Sequence, residues 1–241
     1  MSESDEVRVL DRKIKFDPRS RAFSITDVIS HDRIRSYSWA CTTWNDQGKE
    51  GACVGFAWSH ELASRPVVIP TDNDIARNIY LNAKKIDEWA GEDYDGTSVL
   101  AGVKSTRELF KDKNGIPSIA EYRWAFSLED LVRALGFRGP AVLGMNWYVG
   151  MFNTDASGFI HKSGWLSGGH AIMARAVSIV WIDAKATKTW CNVNLALSYV
   201  TLRNSWGKDW GVSGECKISL TDLEALLKEQ GEVCIPVIRK K

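Results

Sequence analysis

The order of the predicted elements indicates an α+β protein with an N-terminal helical lobe and a C-terminal antiparallel β lobe. Helical hydrophobic spacing dominates the chain up to about residue 137, and short apolar runs between glycine-rich turns dominate after it. Helices followed by strands are typical of segregated lobes. The seam between the lobes is predicted at 137–140.

Four helices are predicted before the seam. The first begins near Ala52, continues with apolar residues at spacings of three and four, and ends at Pro66. The other three are predicted over 72–90 with Thr71 as cap, over 98–110, and from Ser127 to Gly136. Glycines crowd the start of the first helix, which indicates a loop whose backbone closely approaches another group.

Four strands are predicted after the seam, at 141–144, 170–177, 199–203 and 216–220. A last helix is predicted with Thr221 as its cap and Gly231 as its end. Residues 1–36 are polar and charged, and are interpreted as a tail followed by an extended strap. The folded domain is predicted over 37–241, with a helical lobe at about 37–138 and a β lobe at about 139–241.

The charge balance argues against a nucleic-acid partner, and the length of the apolar runs argues against a membrane. The chain has 241 residues, with 31 Lys and Arg against 30 Asp and Glu. An electrostatic nucleic-acid binder usually carries a basic excess, and this composition has none. The uncharged apolar runs are far shorter than the roughly 18 residues that span a bilayer, and the N-terminus is unlike a secretory signal peptide. We therefore expect a cytoplasmic protein that binds neither nucleic acid nor membrane.

The five cysteines do not form a metal or redox motif. No C-x-x-C pair is present, and Ser64 stands where the His60-Glu61 pair would need a second histidine for a zinc-peptidase motif. We expect free thiols in a reducing compartment, with one or two buried disulfides as an open alternative, and no metal and no cofactor.

Three segments carry residues for nucleophilic chemistry: 46–57 (DQGKEGACVGFA), 168–171 (GGHA) and 203–211 (RNSWGKDWG). A thiol at a helix N-terminus feels a partial positive charge that favours the thiolate, and a neighbouring imidazolium favours it further. An asparagine oxygen can orient that imidazole. A backbone N–H and a glutamine amide can donate to the oxyanion that forms in acyl transfer.

In this order the segments resemble those of the papain-like (C1) cysteine peptidases, over about residues 40–235. The N-S-W-G-x-x-W-G pattern is the most specific part, and Q-G-x-x-G-x-C follows it. The resemblance implies a papain-like two-lobe fold with a cleft between the lobes. It also implies hydrolysis of amide bonds in a polypeptide substrate through an acyl-thioenzyme intermediate.

The resemblance assigns catalytic roles to four residues. Cys53 on the helical wall is the nucleophile, and His170 on the β wall is the acid and base. Asn204 orients the imidazole, and Gln47 contributes to the oxyanion hole. Trp206 shields the His170–Asn204 pair.

Substrate contacts are predicted at Gly96, Gly169, Trp206 and Met145. Gly96 takes the place of the family's glycine-rich strand, which binds the substrate backbone. Gly169 precedes the histidine, where the family has part of its main specificity pocket, and Met145 is the predicted pocket floor.

The sequence departs from secreted members of the family at several positions. Glu50 stands where those members have a disulfide cysteine, and Val54 stands where they have tryptophan. Both changes resemble the disulfide-poor microbial and viral branch. The segment before Cys41 is too short for the long inhibitory propeptide of secreted members, which argues against zymogen control.

Two alternatives remain open. The first is a peptidoglycan or isopeptide-bond hydrolase with the same triad, although the sequence has no cell-wall-binding repeat. The second is a catalytically silent binding or virion-associated protein of the same fold, against which the four filled catalytic positions argue.

Overall fold

The structure, a computed structural model, describes residues 8–29 and 33–239. Within these ranges the chain forms five α-helices and seven β-strands. The helices are α1 (Cys53–Leu62), α2 (Asn73–Ile86), α3 (Val99–Leu109), α4 (Leu128–Phe137) and α5 (Leu220–Lys228). The strands are β1 (Tyr37–Ser38), β2 (Ile119–Trp124), β3 (Ala141–Tyr148), β4 (Leu166–Ser178), β5 (Tyr199–Arg203), β6 (Glu215–Ser219) and β7 (Glu232–Arg239). The α+β class predicted from the sequence is confirmed.

All seven strands belong to one antiparallel sheet in the order β2-β7-β3-β4-β5-β6, and β1 pairs with β4 at its far end. β4 is the longest strand, at 13 residues, and lies between β3 and β5. Its register pairs His170 with Met145 on β3, and Met173 with Arg203 on β5. The sheet therefore brings the end of β5 close to His170.

Two predicted helix caps are wrong by one or two residues. The N-cap of α2 is Asp72 instead of Thr71, because the Asp72 carboxylate accepts the N–H of Ile75 at 2.8 Å. The Thr71 hydroxyl donates to a carbonyl of α1 instead. The N-cap of α5 is Ser219 instead of Thr221. The residue one place later in α2 and two places earlier in α5 satisfies the free N–H groups of the first turn.

Strands β1, β2 and β7 are missing from the sequence-based prediction, and β3 and β4 are longer than predicted. β7 contains Pro236, and proline in an apolar run argues against a central strand. The pairing of β7 with β3 ends at Cys234, so Pro236 lies beyond it and faces β2 alone. β2 thereby joins the predicted helical half of the chain to the sheet, and the predicted lobe boundaries at 37–138 and 139–241 stay a prediction.

Three hydrophobic clusters stabilise the described part of the chain, and the two larger ones contain the residues of interest here. The larger one packs α4 and α5 against the sheet, and includes Met145, Trp147 and Trp206. The second lies between α1, α3 and the sheet, and includes Cys53 and Ala171. No helix in the described ranges combines the length and the apolar composition that a membrane crossing requires.

Candidate active site

Cys53 is the first residue of α1, so its thiol lies where the helix carries a partial positive charge. The helix approaches α2 closely at Gly55, where a Cβ atom would lie 2.4 Å from the carbonyl oxygen of Ala76. The Sγ atom accepts a hydrogen bond from the backbone N–H of Ala171 on β4, 3.4 Å away. The thiol is therefore held between a helix and the sheet.

His170 on β4 and Asn204, directly after β5, form a buried hydrogen-bonded pair. Nε2 of His170 lies 2.8 Å from Oδ1 of Asn204, and an oxygen acceptor here requires the proton on Nε2. Nδ1 of His170 has no hydrogen-bond partner among the described residues. That nitrogen is consequently available to accept a proton, and Ala171, whose N–H contacts the thiol, is the next residue along the strand.

Both reactive side chains are fully buried. Burial raises the pKa of the Cys53 thiol to about 11, although the N–H groups of Ala171 and Asp11 oppose the rise. Burial lowers the pKa of His170 to about 4, although the hydrogen bond to Asn204 opposes the fall. In this covered state the site contains a neutral thiol and a neutral imidazole, instead of the ion pair that the sequence pattern favours.

Aromatic rings enclose the imidazole. The Trp206 ring lies 5.2 Å from the His170 ring, and the Trp147 ring lies 4.7 Å from it in an edge-on arrangement. Phe152 stacks on Trp206 at 5.6 Å, and Trp210 packs edge-on against it at 5.0 Å. Both Trp206 and Trp147 therefore pack against the imidazole, and the shielding role predicted for Trp206 stays a prediction.

The side chain of Gln47 is oriented from both ends. Its Oε1 accepts a hydrogen bond from the hydroxyl of Ser205 at 2.6 Å. Its Nε2 donates to the carbonyl of Glu50 at 2.8 Å and to the carbonyl of Val9 at 3.3 Å. Because Ser205 binds the oxygen, the NH₂ end of the amide is the end that contacts the strap at Val9, and a role for Gln47 in an oxyanion hole stays a prediction.

Residues 8–13, called the strap below, run through the cleft over this site. The backbone N–H of Arg12 donates to the carbonyl of Gly169 at 2.9 Å, and that of Lys13 donates to the carbonyl of Thr97 at 3.0 Å. The backbone N–H of Asp11 in the strap contacts the Cys53 thiol, so the strap contributes to its burial. The sequence argument against zymogen control stays a prediction, and these contacts place a short N-terminal segment against the predicted nucleophile.

The predicted substrate-binding glycines lie against the strap. A Cβ atom at Gly96 would lie 1.5 Å from the carbonyl oxygen of Asp11, and one at Gly169 would lie 2.4 Å from the carbonyl oxygen of Arg12. These two glycines therefore form opposite walls that admit an extended main chain. Their role toward a substrate stays a prediction.

Met145, the predicted pocket floor, is fully buried in the larger hydrophobic cluster. Successive residues of a strand face opposite sides of the sheet, so the neighbouring Gly144 lies on the other face of β3. A Cβ atom added there would lie 2.7 Å from Nε of Arg12. The position beside the strap thus belongs to Gly144, and a pocket role for Met145 stays a prediction.

Sequence reasoning missed three contributors to this site: Arg12, Ser205 and Glu232. Ser205 lies inside the N-S-W-G motif, so its position was a usable signal. Arg12 and Glu232 are 220 positions apart in the numbering and form an ion pair at 3.9 Å. Nothing local in the sequence indicates that pairing.

No protein-family model and no curated protein matches the sequence. Among solved structures, xylellain, a cysteine protease from Xylella fastidiosa, matches with a TM-score of 0.61 at 17% identity, covering 99% of this chain and 100% of that one. ProCathepsin B S9 from Trypanosoma congolense matches with a TM-score of 0.56 at 14% identity, covering 96% and 83%. The bromelain protease from Ananas comosus, solved with the E64 inhibitor, matches with a TM-score of 0.54 at 15% identity, covering 83% and 95%.

The similar structures are papain-like cysteine proteases, and they cover most of this chain. Their likeness establishes the two-lobe papain-like fold.

Proposed function

We propose that this chain, which has the papain-like fold, is a cysteine-type peptidase that hydrolyses amide bonds of a polypeptide. One observation carries the proposal. Cys53 is hydrogen-bonded to the residue after His170, and His170 is hydrogen-bonded to Asn204. Three distant segments thus place a thiol, an imidazole and a carboxamide in one buried site.

Attack begins when the strap has left the cleft and a substrate has taken its place. Nδ1 of His170 accepts the thiol proton, and the sulfur of Cys53 forms a bond to the carbonyl carbon of the substrate. The carbonyl oxygen becomes an oxyanion that accepts hydrogen bonds from the backbone N–H of Cys53 and from Nε2 of Gln47. Asn204 orients the imidazole throughout.

The imidazolium of His170 then donates its proton to the departing amine, and the carbon–nitrogen bond breaks. The acyl group stays on the sulfur as a thioester. A water molecule gives a proton to His170 and attacks that thioester, the carbon–sulfur bond breaks to release the acid, and His170 returns the proton to the sulfur. Trp206 and Trp147 exclude other water from the imidazole.

The strap makes access a separate step. Nη1 of Arg8 lies 2.9 Å from Oδ1 of Asp46, and its guanidinium lies 6.0 Å from the Trp206 ring. The carbonyl of Val9 accepts the Gln47 donor that an oxyanion needs. Opening therefore exposes the thiol and releases an oxyanion donor together.

The first prediction is that weakening the strap raises the reactivity of Cys53. Arg8→Ala removes a partly exposed ion pair, so an E-64-type epoxide is expected to label Cys53 about 5-fold faster. Arg19→Ala removes an exposed ion pair with Asp17 outside the strap and serves as the matched control. Mass spectrometry of the labelled peptide gives the rate, and Cys53→Ala gives the background.

A digest of a proteome-derived peptide library then tests peptidase activity in the Arg8→Ala chain. New termini that appear with Cys53 and vanish with Cys53→Ala support the proposal. Labelling without cleavage of any peptide contradicts it. One competing function is a catalytically silent binding protein, which the full burial of Cys53 favours. Labelling without cleavage would support that function instead of the peptidase.

A further inference from the structure

We infer that the surface formed by Phe16, Phe23, Phe126 and Arg21, called the aromatic surface below, binds an acidic polypeptide segment that also carries apolar side chains. None of the four residues belongs to the catalytic site proposed above. The inference therefore stands whether or not the chain is a peptidase.

Three phenylalanine rings reach solvent on this surface. Phe16 is 41% exposed, Phe23 is 51% exposed and Phe126 is 49% exposed. The rings of Phe16 and Phe126 meet edge-on, with their centres 6.4 Å apart. The carbonyl of Phe23 accepts the N–H of Trp124 on β2 at 2.9 Å, two residues before Phe126. The rings thus lie on neighbouring segments, and contiguous exposed apolar surface marks interaction sites more often than apolar residues scattered singly.

Guanidinium groups lie over two of these rings. The guanidinium carbon of Arg21 lies 5.4 Å from the centre of the Phe16 ring, and that of Arg123 lies 5.7 Å from the centre of the Phe23 ring. Arg123 also forms ion pairs with two carboxylates of its own chain. Arg21 forms no ion pair with any residue that the structure describes. Its charge is therefore available to a carboxylate of a partner, directly beside an apolar contact.

Two further cations at this side of the molecule have no carboxylate partner within the described ranges. The guanidinium of Arg107 lies 5.5 Å from the ring of Tyr122 on β2, and the exposed Lys15 precedes Phe16. Residues 13–29 contain four Lys and Arg against two Asp, whereas the whole chain is nearly balanced at 31 against 30. The aromatic surface therefore carries a local positive excess that an acidic segment would complement.

The charges of the surface favour a polypeptide over other occupants. A second copy docked face to face would bring two Arg21 side chains together, and like charges across an interface repel. Nucleic acids and anionic membranes bind denser basic patches. Here carboxylates lie among the cations, since Asp17 pairs with Arg19 at 2.6 Å and Asp27 pairs with Arg123 at 3.0 Å. A segment in which acidic and apolar side chains alternate matches the mixture of cations and rings.

Fluorescence anisotropy with synthetic peptides tests the surface. The probe is a fluorescein-labelled peptide in which Glu alternates with Leu and Phe. One matched peptide has Gln in place of every Glu, and another has Ser in place of every apolar residue. The full chain carries Cys53→Ala, so that the peptides are not consumed. At low ionic strength the probe is expected to bind about 10-fold more tightly than either matched peptide.

Phe126→Ser and Arg21→Gln are each expected to weaken binding of the probe about 5-fold. Trp165→Ser is the matched control for the ring, because Trp165 is 75% exposed and lies between β3 and β4. Lys188→Gln is the matched control for the cation, because its Nζ lies 6.0 Å from the ring of Trp181, away from the aromatic surface. Circular dichroism and thermal melting show whether each variant is folded.

Several results would overturn the inference. Equal binding of the Glu and Gln peptides removes recognition of charge, and unchanged binding by Phe126→Ser places the peptide elsewhere. Single-stranded poly-dT and vesicles of phosphatidylcholine with phosphatidylserine are tested on the same variants. If either binds in place of the peptide and is lost in Phe126→Ser, that ligand replaces the acidic polypeptide. In sedimentation velocity, a wild-type dimer that dissociates in Phe126→Ser would assign the surface to a second copy.

Discussion

The imidazole of His170 has one hydrogen bond, to Asn204, and is otherwise held by contact with aromatic rings. Asn204 supplies the hydrogen bond at 2.8 Å, and the surrounding rings of Trp147 and Trp206 limit rotation by contact. An uncharged oxygen holds the proton on Nε2 without adding a negative charge to the buried site. The amide can therefore be lost while the base itself remains in place.

This arrangement predicts unequal losses at the two positions. In the Arg8→Ala chain, His170→Ala is expected to lower kcat about 10³-fold, because no general acid or base remains. Asn204→Ala is expected to lower kcat only about 10- to 100-fold and to shift the pH profile of kcat/KM, since the ring stays but loses its orienting hydrogen bond. Steady-state kinetics across pH measures both, and equal losses would contradict an orienting role for Asn204.

At the scale of elements, the strap lies against glycines on both sides, Gly96 in a loop and Gly169 on β4. Gly96 has a φ of +81° and lies against the carbonyl of Asp11. This close backbone contact helps a segment as short as the strap to stay bound in the cleft. Backbone contact of this kind is sensitive to one added methyl group.

Gly96→Ala is therefore expected to displace the strap and to raise the rate at which iodoacetamide alkylates Cys53 by about 10-fold or more. Gly91→Ala is the matched control, because Gly91 has a φ of +76° and a Cβ atom there would contact nothing within 4 Å. Both variants carry a similar backbone strain, roughly 1 kcal/mol. Peptide mapping distinguishes Cys53 from the other thiols, and equal rates in the two variants would place the strap elsewhere.

At the scale of the whole molecule, buried histidines link the stability of the fold to pH. Burial lowers the pKa of His60 to about 3, and the charge of Arg203 adds to the fall. Nε2 of His60 accepts the backbone N–H of Asn45 at 3.1 Å, which requires the neutral ring. The folded chain thus binds this proton more weakly than the unfolded chain, so stability falls as pH decreases below about 6.5.

His60→Gln is expected to make the free energy of unfolding less dependent on pH between 6.5 and 4, by roughly 3 kcal/mol across that range. Urea unfolding of the wild type and the variant at several pH values measures the difference, in which the other titrating groups cancel. His161→Gln is the control, since that side chain is 57% exposed. Parallel pH curves for the wild type and His60→Gln would show that this ring does not couple folding to protons.

Several features of the molecule follow from the sequence alone. The helices, the strand that carries His170 and the position of Cys53 at the start of α1 depend on spacing, glycines and caps within a few residues of each other. The order of the three motifs indicates the papain-like fold, which the solved structures bear out. The sequence was sufficient for these conclusions because the hydrophobic spacing, the glycines and the caps that define each element lie within that element.

Only the tertiary structure decided which distant residues meet. The pairing of β2 with β7, the passage of the strap over Cys53 and the contact of Arg12 with Glu232 all join segments that lie far apart in the chain. Such contacts form because folding buries apolar surface from many parts of the chain at once. Neither of the two segments carries a local sequence pattern that predicts its partner. The motifs in the sequence therefore predicted the papain-like fold, whereas the burial of Cys53 beneath the strap and the Arg12–Glu232 pair depend on long-range packing.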